Sequence, residues 1–264
     1  MTKAMRLRPP FSIVAMAWLA CSVAPVAHAQ LTYGYDLSWN DCIGLPGAAA
    51  NIDYACDGSR DGNPFKLVIS FVSPYDLPKF AGAQANLNFR TQSLILLPDW
   101  WRFGVDECRE GSIDFPGGRT GIGTGTTGAC VDPWSPDSSG GGFRWSTHGD
   151  GGGAPGFGFL RLGFAQFPSG PIQAGQRYFL PPILIDPADP ESCDGCDLPG
   201  CIAVTVVELY QDIGTPPQDN VIMEYRPINR LFVTWQGGQI GGFGCPAEVP
   251  TKRATWGAIK AIYR

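Results

Sequence analysis

Apolar and small or polar residues alternate near the start of the chain. Leu31, Tyr33, Tyr35, Leu37 and Trp39 are separated by Thr32, Gly34, Asp36 and Ser38. A period of two predicts a half-buried strand. Phe65 to Val72 is a more continuous apolar run and predicts a second strand. Asn86 to Leu97 reads as a third, stopped by Pro98, and Phe157 to Phe167 as a fourth, with Gly158, Arg161 and Gly163 among its apolar positions. Arg177 to Ile185 is interrupted at Pro181-Pro182, which places that part at a sheet edge or a bulge. Cys201 to Tyr210 is rich in β-branched residues and is the clearest strand of all. Val221 to Tyr225 and Leu231 to Gln236 bring the count to about eight. No amphipathic helical pattern lies between these runs, so the expectation is an all-β sandwich or barrel rather than a parallel α/β fold.

Composition sharpens that picture. The 264 residues include 35 Gly and 24 Pro, which punctuate the chain with turns. Asp132 to Pro155 carries two glycine runs, Gly140-Gly141-Gly142 and Gly151-Gly152-Gly153. It is expected to be a long loop, or two loops around a short strand at Phe143–Trp145.

The first residues look different. Lys3, Arg6 and Arg8 precede an apolar run from Phe11 to Ala20, and Ala27-His28-Ala29 supplies small residues at −3 and −1. This pattern predicts a secretory signal peptide over residues 1–29, too short in its apolar part to span a bilayer comfortably. Cys21 raises the alternative of a lipoprotein signal, but Trp18 stands where a lipobox wants Leu. Cleavage after Ala29 leaves 235 residues, expected as one β domain over 30–250 and a C-terminal tail over 251–264. Without its leader the chain has 16 basic and 24 acidic residues, a net charge of −8. Such a balance gives no general attraction for nucleic acid, and no transmembrane segment is expected after cleavage.

Secretion sets the meaning of the cysteines. Eight follow the leader: Cys42, Cys56, Cys108, Cys130, Cys193, Cys196, Cys201 and Cys245. An even number in an oxidising compartment predicts four disulfides. Proximity suggests Cys42–Cys56 and Cys108–Cys130, one local bridge within Cys193, Cys196 and Cys201, and a longer one to Cys245. The alternatives are a four-thiolate zinc site built on Cys193-x-x-Cys196 and redox catalysis by the same pair. Compartment argues against zinc, and the Pro199-Gly200 and strand-like run that follow argue against a thioredoxin-type helix.

Catalytic materials are sparse, and no cofactor is expected. His148 is the one histidine beyond the leader, and no G-x-S-x-G elbow accompanies it. Asp99, Asp106, Glu107 and Glu110 cluster by Trp100-Trp101 and could in principle supply a glycosidase pair, although a solvated strand end is the plainer reading. Asp57, Ser59 and Asp61 fall at the first three ligand places of a calcium loop, but Val68 stands where the bidentate Glu belongs. A tight turn after Cys56 is the simpler reading. The tryptophans are the best lead. Trp100 and Trp101 are neighbours and would face opposite ways on a strand, while Trp134 and Trp145 border the glycine-rich segment. Exposed, any of the four could stack on a sugar ring or a peptide. In the tail, Thr255 can cap a short helix whose face would carry Trp256, Ile259 and Tyr263, with Lys252, Arg253, Lys260 and Arg264 around it. That segment either docks on the sandwich or serves as a detachable address.

The runs Tyr35-Asp36-Leu37-Ser38-Trp39-Asn40-Asp41-Cys42, Cys193-x-x-Cys196-x4-Cys201-Ile202, Val233-Thr234-Trp235-Gln236-Gly237-Gly238 and Thr255-Trp256-Gly257-x-Ile259-Lys260 together resemble a group of uncharacterised secreted bacterial proteins. That resemblance implies localisation and no activity. Ala174 to Leu180 is similar to a turn and strand of cohesin-like or immunoglobulin-like sandwiches. The expectation is therefore a secreted or envelope-associated, non-catalytic binding or structural module. Its partner would be an envelope protein or a polysaccharide, with a carbohydrate-active domain as the alternative.

Overall fold

The computed structural model describes residues 33–56, 63–91, 96–115, 130–134, 139–147, 157–187, 193–212, 214, 220–223 and 231–238. All of its regular elements are strands, apart from one 3-10 turn at Asp99–Trp101. The strands are β1 (Gly34–Trp39), β2 (Asn51–Ile52), β3 (Phe65–Val72), β4 (Leu77–Thr91), β5 (Ile113–Asp114), β6 (Ser139–Ser146), β7 (Phe157–Ile172), β8 (Arg177–Phe179), β9 (Ile183–Ile185), β10 (Gly200–Gln211), β11 (Asn220–Met223) and β12 (Phe232–Trp235).

They form two sheets. In one, the order is β1-β3-β9-β5, with β8 also paired to β3. In the other it is β2-β12-β10-β4-β7-β6, with β11 also paired to β10. The pairings are antiparallel except β2 with β12. Alternation along each strand sends one set of side chains into a shared core. Tyr35, Leu37 and Trp39 enter it from β1 and Phe65, Leu67, Ile69 and Phe71 from β3. Leu87 and Phe89 meet them from β4, as do Leu160, Leu162 and Phe164 from β7.

Trp235 sits at the centre of that core. Its ring lies 4.9 Å from Phe65, 5.2 Å from Trp101, 6.1 Å from Trp100 and 6.2 Å from Trp39. Its indole N–H donates to the Cys196 carbonyl at 2.6 Å. Burying an indole costs nothing in hydrogen bonding when its one donor is satisfied in this way. The β4–β7 ladder needs glycine at Gly82, because a Cβ there would come within 2.7 Å of the Phe164 carbonyl oxygen.

Several expectations are revised. Expected strand runs recur in β1, β3, β4, β7, β10, β11 and β12, and Pro181-Pro182 does divide one run, into β8 and β9. β4 begins nine residues earlier than Asn86, since Pro78 is tolerated and Phe80 and Leu77 are buried. The short strand within the glycine-rich segment is eight residues long, with Gly140, Gly141 and Gly142 all inside it. Glycine is usually depleted in strands, which is why that run reads as loop. The proximity pairing of cysteines is overturned: the bridges are Cys42–Cys130, Cys56–Cys196 and Cys108–Cys193. Sheet topology, not sequence distance, sets which thiols meet. Cys42–Cys130 anchors a small satellite core with Leu45, Val68 and Phe179 on the other side of β3. Cys201 is buried. Cys245, the leader over 1–29 and the tail over 251–264 with its expected helix lie outside the described residues.

Cys56–Cys196 closes a separation of 140 residues. In the chain-entropy model such a bridge is worth about 5 kcal/mol. Replacing both with alanine is expected to lower the unfolding free energy by about 3–5 kcal/mol in denaturant titration, and non-reducing peptide mapping should recover the three long-range links.

Candidate functional site

The tryptophans proposed from sequence point inward. Trp100 and Trp101 lie in the 3-10 turn rather than on a strand, and both are buried. Trp134 is buried as well, its N–H donating to the Phe179 carbonyl at 2.8 Å and its ring 4.6 Å from Phe164. Trp145 is half-buried. It stands edge-on to Phe89 and Phe103, each with centroids 5.0 Å away, and lies against Gly158, where a Cβ would be 2.3 Å from its ring. None of the first three presents a ring face on which a sugar could stack.

The carboxylates beside them shape the loop. Glu107 accepts hydrogen bonds from the Gly104 amide at 2.6 Å and from the Trp145 indole at 3.0 Å. Glu110 accepts from the Asp106 amide at 2.9 Å, where Asp106 turns at a φ of 61°. Asp99 pairs with Arg102 at 2.9 Å. Arg109, nearly fully buried, lays its guanidinium 3.6 Å over the Trp100 ring, donates to Ser112 at 3.1 Å and donates to the Asp186 carbonyl. This loop is fastened to the core by Arg109 and by the neighbouring Cys108–Cys193 bridge. Among the described residues no three His, Cys, Asp or Glu side chains are grouped to hold a metal. Asp57 and Asp61, the calcium candidates, and His148 fall outside those residues.

A different surface has the character of a site. It is the outer face of the seven-stranded sheet, where β6, β7, β4 and β10 lie side by side. Alternation is clear on β7: Gly158, Leu160, Leu162 and Phe164 are buried, while Phe157, Phe159, Arg161, Gly163 and Ala165 are half-buried or exposed. Gly142 pairs directly with Gly163, and Gly140 with Ala165. A Cβ added at Gly140, Gly142 or Gly163 would meet nothing within 4 Å, so packing does not demand glycine there. Glycine inside a strand weakens it and often marks a place where something approaches the backbone closely. Gly140, Gly163, Ala165, Gln84 and Tyr210 line a shallow depression of about 490 Å³, and Gly142 lies beside it as the strand partner of Gly163.

Tyr210 forms its far wall, with Glu208 next to it on β10. The Tyr210 hydroxyl donates to the Glu208 carboxylate at 2.6 Å. Partial burial, then that bond and the carboxylate's charge, push the phenol up to about 12, against a smaller opposing pull from Arg161. On the near side, Arg161 donates to Asn86 at 3.1 Å and lies 5.7 Å over the Phe159 ring. One rung further, Arg90 is stacked 3.9 Å over Phe157. The sequence signal for this face was present: Gly142 and Gly163 interrupt runs that otherwise alternate. It is legible only once β6 is recognised as a strand.

Compared with models of protein families, with curated proteins and with solved structures, the chain matches none of them.

Two outcomes are expected here. In an alkaline ultraviolet titration one phenol ionises near pH 12, and Glu208→Gln lowers that midpoint. Because the folded value lies above the unfolded value of 10.0, the stabilisation is complete below about pH 10 and is lost as pH rises towards 12. Separately, Glu107→Ala removes the acceptor of the half-buried N–H groups of Trp145 and Gly104, and should lower the unfolding free energy by about 1 kcal/mol with a change in tryptophan emission.

Proposed function

We propose that this chain is a secreted, disulfide-stapled, non-catalytic binding module that takes an extended ligand on the outer face of its seven-stranded sheet. One observation carries the reading. Three glycines on β6 and β7, open to solvent and not required by packing, leave bare backbone between a tyrosine–glutamate wall and an arginine–asparagine wall. Bare backbone lets a flat polymer settle closely, and the amides of Gln84, Asn86 and Asn88 offer donors and acceptors for its hydroxyls.

A polysaccharide is the ligand this surface suits best. Phe157 and Phe159 replace the four tryptophans as the aromatic contribution, because Trp100, Trp101 and Trp134 are consumed by the core. An envelope protein is the alternative partner. The non-catalytic reading draws support from Glu107 and Glu110, which serve as acceptors for backbone and indole N–H groups. The fold is read as an immunoglobulin-like or cohesin-like β-sandwich over residues 30–250. The secretory reading draws on the leader pattern, on three disulfides, and on the fact that no helix among the described residues is long and apolar enough to cross a membrane. The tail over 251–264 stands apart as an address or docking segment.

The test is retention of the oxidised mature protein on a panel of insoluble polysaccharides, with the supernatant assayed for released reducing sugar. Retention that falls at least tenfold in Gly142→Val or Gly163→Val supports the reading. Both variants should keep an unfolding free energy within about 1 kcal/mol of the parent, since valine favours strands and the space is open. Retention unchanged in both variants would move the site elsewhere, and released sugar would make the protein an enzyme.

A further inference from the structure

This inference rests on the reading of that sheet face as a binding surface, and concerns the chemical class of its ligand. The depression on that face has a floor of carbon and backbone, made by Ala81, Gly82, Gly140, Gly163 and Ala165 among others. Of its lining residues, Gln84 on β4 and Tyr210 on β10 alone carry polar side-chain atoms. Register brings these two together. Gly82 stands opposite Tyr210 and Gln84 opposite Glu208, so Gln84 and Tyr210 are diagonal neighbours, a separation that long side chains cover. Both are half-buried, while Ala83, Ala85 and Leu209 beside them point into the core. The two polar groups therefore share the outward face.

Their hydrogen-bonding capacities differ. Tyr210 gives its one proton to Glu208 at 2.6 Å, which leaves the phenol oxygen as an acceptor. The phenol holds that proton far above neutral pH. Among the described residues the Gln84 side-chain amide has no hydrogen-bond partner, and its N–H groups are available to donate. A ligand that satisfies both must carry an N–H to give and a carbonyl to receive. It must also bring a nonpolar group to cover the glycine–alanine floor. A secondary acetamide has all three in one small planar unit. A hydroxyl has no methyl to bury, and a carboxylate has no proton to give and would face the Glu208 charge. We propose that the depression between β4, β6, β7 and β10 is the acetamido subsite of an N-acetylhexosamine polysaccharide, whose amide N–H donates to the Tyr210 oxygen, whose carbonyl accepts from Gln84 and whose methyl lies on Gly163 and Ala165. A Cβ at Gly140 or Gly163 would meet no atom of the protein within 4 Å, so a side chain there would project into the space the acetyl group takes. The volume of about 490 Å³ suits one substituted sugar. The polymer continues along β7 towards Phe159 and Phe157, which are half-buried on the same face.

The experiment compares retention of the oxidised mature protein on chitin, on purified peptidoglycan and on cellulose. Cellulose carries a hydroxyl where chitin carries the acetamide, so that pair isolates the group. The inference expects affinity for chitin or peptidoglycan about tenfold or more above that for cellulose, the sum of one buried methyl and two neutral hydrogen bonds. Whichever of the two acetamido matrices is preferred identifies the polymer. Gln84→Ala and Tyr210→Phe should each lower that affinity by about two- to tenfold and leave retention on cellulose unchanged. Both side chains stand at the surface, and thermal unfolding should stay close to the parent. Should either variant fold poorly, competition decides: soluble N-acetylglucosamine oligomers release the parent from its matrix and glucose oligomers of equal length do not. Equal retention on cellulose overturns the acetamido assignment and leaves the binding face intact. A preference for acetamido matrices that survives in both variants overturns the placing of the subsite at Gln84 and Tyr210. Retention on no matrix at all overturns both the assignment and the binding-face reading.

Discussion

The two sheets meet at Trp235. Its indole stands among Trp39, Phe65, Trp100 and Trp101, which come from β1, β3 and the turn after β4, and its N–H is fixed on the Cys196 carbonyl. Cys196 is in turn bridged to Cys56. One side chain thereby ties a strand of the larger sheet to the smaller sheet and to two covalently fastened segments. Truncating a buried indole of this kind typically costs about 3–5 kcal/mol. The neighbouring contacts depend on it, because each ring in the cluster is held by others and has no alternative place to go.

That concentration of aromatic burial on one face of the sheet leaves the outward glycine positions of β6 and β7 free of packing duty. Gly140, Gly142 and Gly163 weaken β6 and β7 locally, by roughly 0.5–1 kcal/mol each relative to alanine. The loss is offset by the long β4–β7 and β4–β10 ladders, by Phe164 and Trp134 beneath them, and by three bridges that each close at least 85 residues. Local weakness on the outer face coexists with a strongly cross-linked interior, and the proposed binding role calls for such a rigid support.

Much of the fold was legible from the chain. The period of two in β1, the β-branched run in β10 and the proline break between β8 and β9 are local signals, and local signals survive folding. What the chain hid was non-local. Cys56 meets Cys196 and Cys108 meets Cys193 because sheet order brings them together, and no spacing rule carries that information. Trp100 and Trp101 both turn inward because a 3-10 turn, not a strand, holds them. The glycine run of β6 was obscured for the opposite reason: its composition says loop, and only a partner strand with glycine in register, Gly163 against Gly142, makes it a sheet surface. The aromatic residues carry the strongest signal for a site in the chain, but the core has first claim on Trp100, Trp101 and Trp134.

The measurement that tests the account most directly is a map of backbone amide shifts when a soluble polysaccharide fragment is added to isotopically labelled mature protein. The account predicts saturable shifts at Gly140, Gly142, Gly163 and their neighbours on β4 and β10, with the opposite sheet undisturbed. Shifts confined to β1, β3 or the loop around Trp100 would contradict it, and would return the binding site to a part of the molecule that this structure assigns to its core.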